Sequence, residues 1–139
     1  MFITEEDYIQ IGADALKIMQ QSSPDNRLKA EERAISRVAG ALRGRYDVEA
    51  VFALEGDRRD AELVGCVTDI ALYHMCCSLP QKMGYEIREK RYEQALKYLK
   101  DIQAGDVTPD IPTVTGPRGE EDYHNPVRYG SAPKNDYIW

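Results

Sequence analysis

The residues from Glu62 to Pro80, ELVGCVTDIALYHMCCSLP, decide how this chain folds. Leu63, Val64, Cys66, Val67, Ile70, Ala71, Leu72, Met75 and Cys77 leave few polar positions on any face of a helix drawn through them. Such a helix has to be enclosed by other elements, because no side of it suits water. The stretch therefore predicts a central, buried helix, ended by the turn that Pro80 and Gly84 impose. The rest of the chain has to be arranged around it.

Directly after it, EIREKRYEQALKYLKDIQAG puts Ile87, Tyr92, Ala95, Leu96, Leu99 and Ile102 at helical spacing. Glu86–Lys90 and Glu93–Lys97 are supporting i, i+4 pairs, and Gly105 stands where a left-handed cap belongs. Upstream, Leu28 to Gly44 carries Leu28, Ile35, Val38 and Leu42 on one side and Lys29, Glu31, Glu32, Arg33, Arg37 and Arg43 on the other. That pattern is a one-sided amphipathic helix. Tyr46 to Asp60, containing VEAVFALEG, predicts a connection with a short helical or extended piece. At the start, Thr4 offers a cap and Glu5, Glu6 and Asp7 face the positive end of a helix dipole. Tyr8, Ile11, Ala15, Ile18 and Met19 continue the pattern, with Gly12 dividing it into two short helices. Ser22-Ser23-Pro24-Asp25 breaks the chain again, and Asp25 or Asn26 is the next cap. No segment alternates as a strand does. The expectation is an all-α bundle of four to five helices over residues 1–105, followed by a long extended proline-rich C-terminal arm over residues 106–139.

That arm holds five of the seven prolines, three tyrosines and the only tryptophan. Pro109, Pro112, Pro117, Pro126 and Pro133 forbid a long helix and interrupt any ladder. Glu120-Glu121-Asp122 adds local repulsion, so alone in water the segment is expected to be disordered. Fully stretched it reaches at most ~110 Å. Tyr123, Tyr129, Tyr137, Ile138 and Trp139 are residue types that anchor interfaces. The arm therefore reads as a segment that orders on a partner.

Residue chemistry narrows the function. With 139 residues, one domain is the natural size. A net charge of −6 and a pI near 5.0 argue against a phosphate-binding groove but allow a surface that repels DNA. No apolar run spans a bilayer, and MFITEEDY is too acidic for a signal peptide. Cys66, Cys76 and Cys77 are odd in number and lie in an apolar stretch, which fits reduced, buried thiols better than disulfides. Adjacent helical cysteines diverge by about 100° and do not share a zinc readily. His74 and His124 have no ligand partner at metal spacing, and GPRG lacks the setting of a phosphate loop. No cofactor, metal or catalytic residue is expected. Asp69, set in the apolar helix, calls for a cationic partner, and Arg88 or Arg91 on the following helix supplies one.

The same two helices carry a resemblance. Asp69 to Tyr73, Pro80, Arg88, Arg91, Tyr92, Ala95, Tyr98, Leu99, Ala104, Gly105 and Pro109 resemble the small head–tail connector proteins of tailed bacteriophages and prophages, the adaptor or head-completion group of Mu-like phages. ITEEDY and the GRYDVEAVF stretch extend the likeness across roughly residues 3 to 112. The resemblance implies a helical subunit of a ring, usually twelve-fold, that sits below the portal protein, extends the DNA channel and offers the tail or tail-terminator protein a platform. It implies no catalysis, no specific DNA binding, no membrane, and a place in the virion after synthesis in the host bacterial cytoplasm. An acidic lumen would let DNA slide. Two other readings stand beside it: a cytoplasmic helical protein-binding or regulatory module with a disordered tail, and a small enzyme using Asp69 and His74.

Overall fold

The computed structural model describes residues 2–79 and 84–114, and Pro80, expected to end the central helix, lies outside them. Among the described residues six α-helices follow one another: α1 (Glu5–Ile11), α2 (Ala13–Gln21), α3 (Pro24–Leu42), α4 (Val48–Ala53), α5 (Ala61–Ser78) and α6 (Tyr85–Ala104). A single 3-10 turn, Gly56–Arg58, joins α4 to α5. Isolated bridges, Arg43 to Tyr46 and Tyr46 to Thr113, are the extended pairings among the described residues. The fold is all-α.

Local chemistry explains the boundaries. Gly12 has φ 150° and both closes α1 and opens α2, a backbone setting that a side chain would strain. The next helix begins earlier than its apolar pattern. Ser23, not Asp25 or Asn26, is the cap: its hydroxyl accepts from the Asn26 amide at 3.2 Å. Pro24 occupies the first helical position, where a missing N–H costs nothing. Asp47 and Asp60 cap α4 and α5 in the same way, through the Ala50 and Leu63 amides. Gly105 ends α6 in the left-handed conformation, as its position implied.

Helix α5 is the centre of the molecule. It lies against α3 on one side and α6 on the other, with α2 and α1 making smaller contacts. Leu63, Val67, Ile70, Ala71, Leu72, Met75 and Cys76 are fully enclosed. Cys77 departs from expectation: it is exposed, because one further helical step turns it away from both neighbours. Three residues of the expected apolar stripes also face outward, Ile11 at 38 %, Leu28 at 46 % and Ile87 at 54 % exposure. In α3 and α6 one inward position each is held by a charged residue, Glu31 and Arg88, both buried beside apolar neighbours.

The chain after α6 does not leave at once. Ile111 is buried, the Pro112 carbonyl accepts from the Asp47 amide at 3.0 Å, and the Val114 amide donates to the Arg45 carbonyl at 3.2 Å. Residues 107–114, assigned to the arm by composition, thus cover Tyr46 and belong to the packed body. Proline here breaks helices without preventing an extended strip from docking, because such a strip needs few of its own amides.

Candidate functional site

Three polar constellations are built into the bundle, and the sequence pointed to only one of them. The anticipated pair is there but loose. Arg88 Nη1 lies 3.9 Å from Asp69 Oδ1, too far for a hydrogen bond, and that nitrogen is buried without any hydrogen-bond partner. Burial raises the Asp69 carboxyl above its ordinary value, and the nearby charges of Arg91 and Arg88 only partly oppose this. Asp69 therefore sits in an environment that, on balance, disfavours its charge. A buried carboxylate whose pKa is raised weakens the fold once ionised, and the cost disappears as pH falls through the raised value. Asp69→Asn is accordingly expected to change stability by no more than about 1 kcal/mol, read from chemical denaturation at neutral pH; a tight buried pair would lose about 3–5 kcal/mol.

A second network ties α1 to α3. The Tyr8 hydroxyl, wholly enclosed, donates to Glu31 Oε2, and Arg27 Nε donates to the same oxygen at 3.1 Å. Arg27 also stands 5.4 Å above the Tyr8 ring. Burial, then the Glu31 carboxylate, pushes the Tyr8 hydroxyl far above its normal range, so it acts as a permanent donor. Tyr8→Phe removes one bond to a buried acceptor that keeps Arg27, for an expected loss of about 1–2 kcal/mol in thermal unfolding.

A third constellation clamps the N-terminus. Arg59 donates to Asp7 Oδ2 at 2.7 Å and Oδ1 at 3.1 Å, and also to the Phe2 carbonyl at 2.6 Å. The Thr4 amide donates to Asp7 as well, at 2.8 Å. Phe2 packs edge-on against Phe52 with ring centres 4.9 Å apart. No spacing rule joins residues 7 and 59; only the fold brings them together.

Chemistry-bearing side chains are otherwise dispersed. His74 packs edge-on against Tyr73 and Tyr92, whose own rings stack 4.1 Å apart. Burial, then Arg33 and Arg37, lowers the His74 pKa, so the ring is neutral at pH 7. Asp69 shares no hydrogen bond with it among the described residues. Burial pushes the Cys66 thiol up to about 12, with Asp69 adding to the effect, which leaves it inert. Among the described residues no group of three or more His, Cys, Asp or Glu could hold a metal ion, and no helix is long and apolar enough to cross a membrane. The interaction residues expected from sequence, Tyr123, Tyr129, Tyr137, Ile138 and Trp139, lie outside the described residues.

The class that these observations define is an all-α bundle centred on one apolar helix. No protein-family model, no curated protein and no solved structure matches this chain.

Proposed function

We propose that this protein is a structural, non-enzymatic head–tail adaptor of a tailed phage or prophage. Copies of it form a ring, twelve-fold as the sequence resemblance implies, below the portal protein. The ring extends the DNA channel and presents the tail or tail-terminator protein with its attachment surface. One observation carries this reading: the buried core of the described residues runs from Phe2 to Ile111, while Tyr123, Tyr129, Tyr137, Ile138 and Trp139 all come later in the chain. Aromatic residues of these types are suited to contacts with other chains. The acidic balance fits a lumen through which DNA passes without being held. In this reading the place of action is the virion.

Electron microscopy of the protein mixed with its portal protein tests the proposal. The expected image is a ring of extra density stacked coaxially on the portal, with the symmetry of that ring. A protein that stays monomeric beside excess portal contradicts it and favours a stand-alone binding module.

A further inference from the structure

The negative charge of this chain is unevenly spread. Between α3 and α6 runs an open groove of about 620 Å³, lined by Gly40, Ala41 and Leu96 together with Arg37, Lys97 and Lys100. Arg37 also lines the adjoining cleft, with Arg33 and His74. Glu93 is the carboxylate that lines the groove beside them. Among the described residues, Arg33, Arg37, Lys97 and Lys100 take part in none of the ion pairs. All are exposed. A protein of net charge −6 thus keeps a small basic channel.

Gly40 gives that channel a second distinguishing feature. Glycine inside a helix costs about 1 kcal/mol relative to alanine, so its presence calls for a reason. It is not conformational, since Gly40 lies in the regular helix α3 and has no left-handed φ. It is not close packing, since an added Cβ would meet nothing within 4 Å. What the glycine does is leave the groove wall bare, so that another backbone can approach.

The groove opens beside the point where the described chain ends. Val114 is bonded to Arg45, whose guanidinium donates to the Ile102 carbonyl at 3.2 Å, next to Gln103 at the groove's end. From Val114 to Glu120 the chain can span up to about 20 Å. The groove between Gln103 and Lys97 is about 9 Å of helix, and the step from Val114 across Arg45 to its Gln103 end comes on top of that. An acidic triplet, Glu120-Glu121-Asp122, lies within that reach.

We propose that Glu120, Glu121 and Asp122 seat in the α3–α6 groove of their own subunit, against Arg37, Lys97 and Lys100. This docking fixes the root of the arm and sets the direction in which Tyr123 and the later aromatics project. Its occurrence does not depend on ring assembly. Opposite charges in a partly enclosed groove attract modestly, and salt screens them over about 10 Å at 0.1 M.

Amide NMR spectra of the full-length protein alone, without portal, supply the test. The reference is the triple variant Glu120→Gln, Glu121→Gln, Asp122→Asn. At low salt the Gly40, Lys97 and Lys100 resonances are expected to differ between the two proteins, unchanged by tenfold dilution. That difference is expected to shrink strongly toward about 0.5 M salt. Gly40→Leu fills the groove while favouring the helix, so it is expected to shift the resonances of residues 120–122 toward their free positions without lowering the thermal midpoint. Groove resonances identical in wild type and triple variant overturn the proposal. So do differences that fade on dilution, which would put the triplet of a second copy in the groove. Because no partner is present, the result stands whether or not the adaptor reading survives.

Discussion

Ending the chain after Val114 is expected to leave the unfolding midpoint of the bundle within a few degrees of the full-length value and to abolish association with portal and tail proteins. The body keeps Ile111, Pro112 and Val114 in that truncation, so its buried surface and the bridge to Tyr46 survive. The lost segment contains every aromatic after Tyr98. Ending the chain after Gly105 instead removes a buried isoleucine and uncovers Tyr46. Burial of one Ile side chain is worth about 1.5–3 kcal/mol, so this shorter form is expected to lose at least that much stability. The pair of truncations separates two roles that a single deletion would merge. Co-sedimentation with portal protein and thermal unfolding, measured on both, decide the matter. If the longer truncation still assembles normally, the arm has no part in the mechanism.

The second large effect is at the N-terminal clamp. Asp7→Ala removes the carboxylate in hydrogen-bond contact with the Arg59 guanidinium, whose side chain is only 13 % exposed, leaves it the more distant charges of Asp57 and Glu6, and strips the Thr4 amide of its acceptor. Removing one partner of a buried pair costs about 3–5 kcal/mol. Urea unfolding at pH 7 checks this. The clamp also sets a pH dependence. Burial alone would raise the Asp7 pKa, but the Arg59 hydrogen bonds, the Thr4 amide and the Arg59 charge outweigh it, and the net shift is downward. A lowered carboxyl stabilises fully above its unfolded value, near 3.9, and that stability is lost as pH falls through the folded value. Wild-type protein is therefore expected to lose stability steeply below about pH 4. Asp7→Asn, lacking the titrating group, is expected to lose less over the same range. Asp69 acts with the opposite sign, since acid relieves the cost of its charge, so Asp69→Asn is not expected to flatten the curve.

The two carboxylates show what a one-dimensional reading can reach. Asp69 stood out because it interrupts an apolar helix, and the idea of a basic partner on the next helix followed from adjacency; the geometry supplies Arg88, yet at 3.9 Å. Asp7 carried no such signal. It reads as an ordinary first-turn acid, and its partner lies 52 residues away beyond three helices and a 3-10 turn. Apolar periodicity failed for a related reason at Leu28 and Ile87. Periodicity assumes that apolar side chains take the inward positions. In α3 and α6 one inward position each went to Glu31 and Arg88; Tyr8 and Arg27 hydrogen-bond Glu31, while Arg88 has Asp69 only at 3.9 Å.

By itself, the sequence determined that the chain is helical, that the stretch read from Glu62 to Pro80 supplies the enclosed helix, that Gly12 and Gly105 mark breaks, and that no apolar segment offers a membrane span. These follow from local properties, namely backbone freedom, capping chemistry and the count of apolar faces. Tertiary structure alone decided which charges are buried together, that residues 107–114 return to cover Tyr46, and that Gly40 opens onto a basic groove. Each of these depends on distances between residues far apart in the chain. Such distances are set by how helices pack and not by any residue's own preference.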